Sequence, residues 1–162
     1  MDDRLLLEVD DSGCDADDLA CCNAYGVRVA ADAPWDDFVA ETVSREWRGL
    51  ESLSGLAGSV AEAITANRSV YGTHPGDHVA SVRTWDEQTD RQRTFAFADC
   101  GFVPGGSVFT DQPRYRILDV TFLFQRGDLT RPLSDPDLLA LLGVETGSRV
   151  PTTRVRTAIV GD

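Results

Sequence analysis

Residues 115–124 read YRILDVTFLF, and this run of β-branched and aromatic side chains predicts a β-strand. Two further stretches have strand character, VASVRTW at 79–85 and RTFAF at 93–97. The polar segment DEQTD at 86–90 lies between them, as a hairpin connection does. These stretches predict neighbouring strands of a mostly antiparallel sheet.

The flanking sequence adds further strands and helices. Segments 4–9 (RLLLEV) and 25–30 (YGVRVA) read as strands. Helices are predicted from Pro34 to Trp47, from Ser59 to about residue 66, and from Asp135 to a stop at Gly143, whereas residues 155–160 fit either a helix or a strand. The aromatic residues expected in the core are Trp35, Phe38, Trp47, Phe122 and Phe124. The order of elements predicts an α+β domain with a mostly antiparallel sheet flanked by helices.

The charge of the chain argues against several functions. The 162 residues include 15 basic and 27 acidic side chains, for a net charge of -12, and every basic residue is arginine. This charge repels phosphate backbones and anionic lipid, so we expect no nucleic acid and no membrane as partner. Without lysine there is no Schiff base and no P-loop lysine. No apolar run approaches the roughly 18 residues of a membrane span, and we expect a cytoplasmic protein.

The cysteines and the acidic N-terminal segment predict no special chemistry. Four cysteines, Cys14, Cys21, Cys22 and Cys100, are too few and too irregular for a disulfide framework, so we expect reduced thiols, with Cys100 buried. Eight of the first 18 residues are acidic, without the spacing of a calcium loop. We expect a solvated acidic flank there.

The two histidines lie close together, in the run HPGDH at 74–78. Pro75 and Gly76 break the helix that would bring His74 and His78 onto one face. We therefore expect a loop with solvated histidines and no bound metal. His74 remains a candidate general acid or base.

Several runs, taken in order, resemble one enzyme family. They are VRVAADAPWDDFVA at 27–40, GLESLSGLAGSVAEA at 49–63, NRSVYG at 67–72, VASVRTWD at 79–86, FAFADCGF at 95–102, SVF at 107–109 and ILDVTFLF at 117–124. Together they resemble the flavin-dependent UDP-N-acetylenolpyruvoylglucosamine reductases, the MurB family. The resemblance covers the second part of that family's flavin domain. It implies a single MurB-like domain over residues 1–162, with the N-terminal flavin lobe and the C-terminal substrate domain absent.

The segments that carry the family's chemistry have changed in this sequence. The family's flavin loop G-I-P-G-S-V-G-A corresponds to GLAGSVAE at 55–62, where Gly58 and Ser59 keep backbone N–H groups for a diphosphate but Glu62 adds a negative charge. The catalytic segment G-Y-R-D-S-x-F-K corresponds to VPGGSVFT at 103–110, which lacks its tyrosine, arginine and lysine. We therefore expect no cofactor, and we reject the reductase activity of the family.

Two classes of function are then open. The first is a repurposed, cofactor-independent enzyme that uses the vacated flavin cleft, as a cyclase, cycloaddition catalyst or isomerase. Its substrate would be a largely apolar, polyketide-like intermediate of specialised-metabolite biosynthesis. The second class is a noncatalytic remnant that regulates or binds a partner. A residual flavin-binding oxidoreductase is a further alternative.

The candidate site residues come mostly from loops matched to the family. The predicted catalytic residues are Asn67, Tyr71, Ser107 and His74, and the predicted substrate-binding residues are Ser59, Glu62, Arg68, Trp85 and Phe97. Structural roles stay open beside these: a helix N-cap for Ser59, an ion pair between Glu62 and Arg68, and loop or turn hydrogen bonds for the others. If Trp85 and Phe97 lie on the outward face of the sheet, they line a pocket or an oligomer contact. We expect a homodimer.

Overall fold

The computed structural model describes residues 6–10 and 24–161. The strands are β1 (Leu6–Asp10), β2 (Ala24–Ala30), β3 (Trp47–Arg48), β4 (Val79–Asp86), β5 (Arg91–Ala96) and β6 (Tyr115–Arg126). They form one antiparallel sheet in the order β1-β2-β6-β4-β5, and β3 pairs with the end of β6. The expectations for Cys14, Cys21, Cys22 and most of the acidic flank lie outside the described residues.

Strand β6 is the middle of the sheet, pairing with β2 on one side and β4 on the other. In its pairing with β4, Asp119 is opposite Arg83 but Ile117 is opposite Thr84, so Leu118 is an extra residue in a β-bulge. Strict alternation would put Ile117 and Val120 on opposite faces. The bulge places both on the buried face.

The buried face of the sheet carries the main core, which is covered by helix α1 (Trp35–Ser44). The ring centroids of Phe38 and Phe122 are 5.0 Å apart. The Trp35 Nε1–H donates to the Leu53 carbonyl at 3.1 Å, which satisfies the polar edge of a fully buried indole. None of the five predicted core aromatics is more than 4% exposed, which confirms their assignment.

Helix α1 ends at Ser44, so the prediction that it runs to Trp47 is wrong. The chain reverses at Glu46, which has φ of +61°. Trp47 then enters β3, where its ring stacks on Phe124 with centroids 5.9 Å apart. Helical spacing identified Trp47 as buried, but burial here is achieved by a strand.

The other helices are α2 (Val60–Ala66), α3 (Val108–Asp111), α4 (Pro136–Leu142) and α5 (Thr152–Val160). The stop of α4 at Gly143, which has φ of +69°, is as predicted. The ambiguous segment 155–160 is helical. A second, smaller core joins α4 and α5 through Leu138, Leu142, Val150 and Val155.

The α+β class with an antiparallel sheet flanked by helices is therefore confirmed. Arg156 of α5 pairs with Asp36 of α1 through two hydrogen bonds of 2.7 and 3.1 Å, which ties the smaller core to the main one. Over the residues that the structure describes, no helix has the length and apolar character needed to cross a membrane.

Candidate functional site

A cleft of about 690 Å³ lies where three loops meet between the two cores. Its lining comes from residues 49, 51 and 52, after β3, from residues 71–73, 77 and 78, before β4, and from residues 130–136 and 138, between β6 and α4, together with Val155 of α5. Sites for small molecules usually have roughly 300–1,000 Å³. The cleft is therefore large enough for a small-molecule ligand.

Tyr71 reaches the cleft from a tight turn. Val70 and Thr73 exchange two backbone hydrogen bonds of 2.9 Å, and between them Tyr71 and Gly72 have φ of +50° and +75°. Two consecutive left-handed residues make a type I′ turn. This conformation is easy for Gly72 but costs about 1–2 kcal/mol for a residue with a Cβ such as Tyr71. Such strain is found preferentially at ligand-binding and catalytic positions.

His78 lines the cleft from the end of a 3₁₀ turn at Pro75–His78. Its ring centroid is 5.8 Å from that of Phe124, and a Cβ on Gly49 would lie only 2.3 Å from its Nε2. Burial lowers the pKa of His78 below its ordinary value of 6.5, and the nearby Arg131 charge acts in the same direction. The imidazole is therefore neutral at pH 7 and able to accept a proton.

The acidic residues of the cleft are held by backbone N–H groups. Glu51 accepts from Gly49 at 2.7 Å, Asp77 accepts from His74 at 2.9 Å, and Asp135 caps α4 by accepting two hydrogen bonds of 3.0 Å. The exposed Arg131 faces the same cleft, and it has no ion pair or hydrogen bond within the described ranges 6–10 and 24–161. The cleft thus combines an uncommitted cation with a neutral histidine and a tyrosine.

Comparison with known proteins relates the chain to one group of enzymes. No family model matches the chain. The UDP-N-acetylenolpyruvoylglucosamine reductase of Cutibacterium acnes is 41% identical over 159 residues, which are 98% of this chain and 42% of that protein. The reductase of Thermobifida fusca is 38% identical over 134 residues, 83% of this chain and 38% of that protein. The chain is a relative of these reductases. It spans about two fifths of the length of the curated relatives it matches.

The same relationship holds at the level of fold. A solved structure of the reductase, MurB, from Thermus caldophilus matches with a TM-score of 0.54 over 61% of this chain and 36% of that one. The aligned sequences are 21% identical, so this match shows the shared fold alone.

In the loop matched to the MurB flavin loop, residues 55–62, the N–H groups at the start of α2 already bond to protein acceptors. The Ser59 N–H donates to the Glu62 carboxylate at 3.0 Å, and the Glu62 N–H donates to the Ser59 hydroxyl at 3.2 Å. The N–H groups of Val60 and Ala61 donate to backbone carbonyls ahead of α1, at 2.8 and 3.0 Å. A phosphate at a helix N-terminus needs free N–H donors. The expectation that Ser59 keeps one for the diphosphate is wrong, because Glu62 occupies it.

Two of the four predicted catalytic residues make structural hydrogen bonds next to each other. The buried Asn67 donates to the Val103 carbonyl at 2.9 Å and accepts from the Gly76 N–H at 2.8 Å. Ser107 caps α3 and donates to the Thr65 carbonyl at 2.9 Å. Neither residue lines the cleft, and their catalytic role stays a prediction.

Among the nine predicted site residues, Tyr71 is the one that lines the cleft. His74 lies beside it, at the N-cap of the 3₁₀ turn, with its Nδ1 3.6 Å from the Asp77 carboxylate and its Nε2 buried without a hydrogen-bond partner in the described residues. Ser59 and Glu62 form the capping box of α2, and within the described ranges Glu62 and Arg68 form no ion pair.

The remaining predicted residues are scattered. Arg68 is exposed on the segment before the Tyr71 turn. Trp85 is half-buried and lies on the outward face of β4, the position that the sequence analysis considered for it. Phe97 is not in the sheet, because it begins a 3₁₀ turn after β5, and it is 50% exposed. The structure does not bring these three side chains to the cleft.

The sequence interpretation missed the cleft residues Glu51, His78 and Arg131. His78 was expected to be solvated, and this is wrong because it is packed against Gly49 and Phe124. The sequence signal for its burial was its position directly before the apolar strand β4.

Cys100 is fully buried, as expected, and burial raises the pKa of its thiol to about 12, so the thiol is unreactive at neutral pH. Within the described ranges, no group of acidic, cysteine and histidine side chains could hold a metal.

Proposed function

We propose that this domain is a flavin-independent catalyst that binds a small molecule in the cleft and isomerises or cyclises it by moving protons. The observation that carries the proposal is the presence of Tyr71 and His78 in one cleft of about 690 Å³. Both side chains exchange protons or hydrogen bonds without a cofactor. Ring closure and isomerisation require that the substrate is held in one conformation, that water is excluded, and that side chains donate or accept protons and hydrogen bonds.

The roles of the two residues follow from their surroundings. Burial keeps His78 neutral, so its imidazole is the proton acceptor. The Tyr71 hydroxyl is the hydrogen-bond donor to the group on which negative charge develops. The strained turn at 70–73 fixes the position of this phenol against the cleft.

The relatives are named as reductases, but a reductase is not the function we propose. Reduction by a flavin enzyme requires a bound flavin. The helix N–H groups at residues 59–61 are already satisfied by protein acceptors, which argues against the diphosphate of that cofactor.

Mass spectrometry tests the proposal. A strain lacking the gene should accumulate a compound that the purified protein converts to a product of unchanged mass. Tyr71→Phe and His78→Gln should each lower the rate about a hundredfold. The control, Tyr25→Phe, changes a tyrosine that packs against Trp47 and should leave the rate unchanged. A product heavier by added hydrogen, or full activity in both cleft variants, would overturn the proposal.

A noncatalytic, partner-binding role is the second candidate, favoured by exposed apolar side chains. Phe97 is 50% exposed and Val103 is 57% exposed, and the Phe97 ring lies 5.9 Å from that of Phe102. We propose that this segment mediates the expected homodimer. Sedimentation at micromolar concentration should show a dimer, and Phe97→Ser together with Val103→Ser should shift it to a monomer. A wild-type protein that sediments only as a monomer would contradict this role.

A further inference from the structure

Arg131 is the cation of the cleft that the protein itself leaves without a partner. It lies on the loop between β6 and α4, and among the described residues nothing forms a hydrogen bond or ion pair with it. Most other described arginines are engaged, as Arg83 is with Asp119 and Arg114 with Asp86, whereas Arg68 and Arg91 also lack a hydrogen bond or ion pair but lie outside the cleft. What distinguishes Arg131 is its position in the lining of the cleft.

The acidic groups of the cleft form no ion pair with Arg131 in the described part of the chain. Glu51, Asp77 and Asp135 each accept backbone N–H hydrogen bonds from their own loop or helix end. These bonds hold each carboxylate to its own segment. The guanidinium therefore remains available to a ligand.

We propose that the small molecule bound in the cleft carries a single carboxylate, which Arg131 holds. This inference rests on the proposed function of the same cleft and names its substrate class. A guanidinium binds a carboxylate through two parallel N–H···O bonds. The hydroxyls of Thr73 and Ser134 line the same cleft and supply further donors.

The charge and lining of the cleft limit the rest of the ligand. Three carboxylates and one arginine line the cleft, so a dianionic phosphate or a diphosphate is repelled more strongly than a monoanion is. Leu133, Leu138 and Val155 give part of the lining an apolar surface. A compact carboxylic acid with an apolar body fits these surroundings. It is consistent with the largely apolar substrate expected from the sequence, and its carboxylate supplies a partner for Arg131.

Three aryl compounds of similar shape test the charge requirement. Benzoate, benzamide and phenyl phosphate are titrated into ¹⁵N-labelled full-length protein while backbone amide shifts of cleft residues such as Gly72 and Leu133 are followed. Benzoate should shift these amides in a saturable way and bind at least tenfold more tightly than benzamide or phenyl phosphate. Arg131→Gln should weaken benzoate binding at least tenfold. The control Arg91→Gln removes the same charge from an exposed arginine at the start of β5, outside the cleft, and should not change it.

The outcomes separate this inference from the proposed function. Benzamide or phenyl phosphate binding as tightly as benzoate, benzoate binding retained by Arg131→Gln, or no cleft shift with benzoate would overturn the carboxylate assignment. None of these results concerns proton transfer by Tyr71 and His78. Conversely, if benzoate binds through Arg131 while Tyr71→Phe and His78→Gln retain full conversion in the mass assay, the carboxylate site stands and the catalytic proposal fails.

Discussion

The backbone N–H of Ser59 donates a hydrogen bond to the carboxylate of Glu62 at 3.0 Å, and the Glu62 N–H donates back to the Ser59 hydroxyl at 3.2 Å. This reciprocal pair is a capping box. The negative charge at the N-terminus of α2 therefore comes from the chain itself. The carboxylate also lies against Gly58, since a Cβ there would be 2.2 Å from Glu62 Oε2.

Replacing Glu62 should cost stability. Glu62→Ala removes the acceptor of the Ser59 N–H, and we expect the free energy of unfolding to fall by about 1 kcal/mol. Urea denaturation measures this change. Glu145→Ala, which removes an exposed carboxylate from a turn after α4, serves as the control and should change stability by less than about 0.5 kcal/mol. Equal stability of the two variants would contradict the capping role.

A methyl group at Gly49 should disturb His78 directly. Gly49 has φ of +138°, and its added Cβ would lie 2.3 Å from His78 Nε2, with the imidazole packed on Phe124 behind it. Gly105→Ala is the matched control, because Gly105 has φ of +84° and nothing within 4 Å of an added Cβ. We expect Gly49→Ala to lower the thermal unfolding midpoint by several degrees more than Gly105→Ala does. Similar midpoints would show that the imidazole moves aside at little cost.

His78 should make stability depend on pH near neutrality. Its pKa in the folded protein is lowered below 6.5, chiefly by burial and then by Arg131, with Asp77 opposing. The unfolded chain then binds the proton more readily, so stability is full above about pH 6.5 and falls as the pH drops toward the folded pKa. Urea denaturation at pH 7 and pH 5 should show this loss in the wild type. His78→Gln should abolish most of it, whereas His74→Gln should retain it; an unchanged loss in His78→Gln would exclude His78 as the cause.

The ion pair between Asp86 and Arg114 should make stability depend on pH in a more acidic range than His78 does. Arg114 donates two hydrogen bonds to the buried Asp86, of 3.0 and 2.6 Å, and holds the pKa of this carboxyl well below its ordinary value of 3.8. A lowered carboxyl pKa stabilises the fold above about pH 3.8, and this contribution is lost as the pH falls below that value. Asp86→Asn should flatten this part of an acid-denaturation profile. Asp128→Asn, at an exposed position with no ion pair in the described residues, should follow the wild-type profile; a steep acid loss that persists in Asp86→Asn would assign it to other carboxyls.

The fold was predictable wherever a local pattern agreed with the tertiary contacts. The run at 115–124 became β6, and the Ser59 capping signal became the start of α2. The end of α1 was not predictable, because Trp47 continues the helical spacing from Val43 yet is buried by stacking on Phe124 in a strand pair. The bulge at Leu118 was also invisible, since it is defined by the partner strand.

The candidate site was predictable only at Tyr71. Asn67 and Ser107 have the polar groups that chemistry needs, but their hydrogen bonds to Val103 and Thr65 depend on segments more than thirty residues away in the chain. Arg131 follows a run of charged and turn residues and has no local motif. Its proposed role rests on its place in the cleft and on the absence of a partner in the described part of the fold, which no local pattern indicates.

The sequence by itself determined the α+β class, the buried aromatics and the capped helices, because these depend on the spacing of side chains within one segment. The relation to the MurB reductases was also carried by the order of its segments. Only the tertiary structure decided that residues 49–52, 71–78 and 130–138 enclose one cleft, and that Glu62 occupies the N–H group of Ser59 while Arg131 is left free. A cleft and the pairing of charges across it depend on distances between segments far apart in the chain, which the fold sets and local periodicity does not.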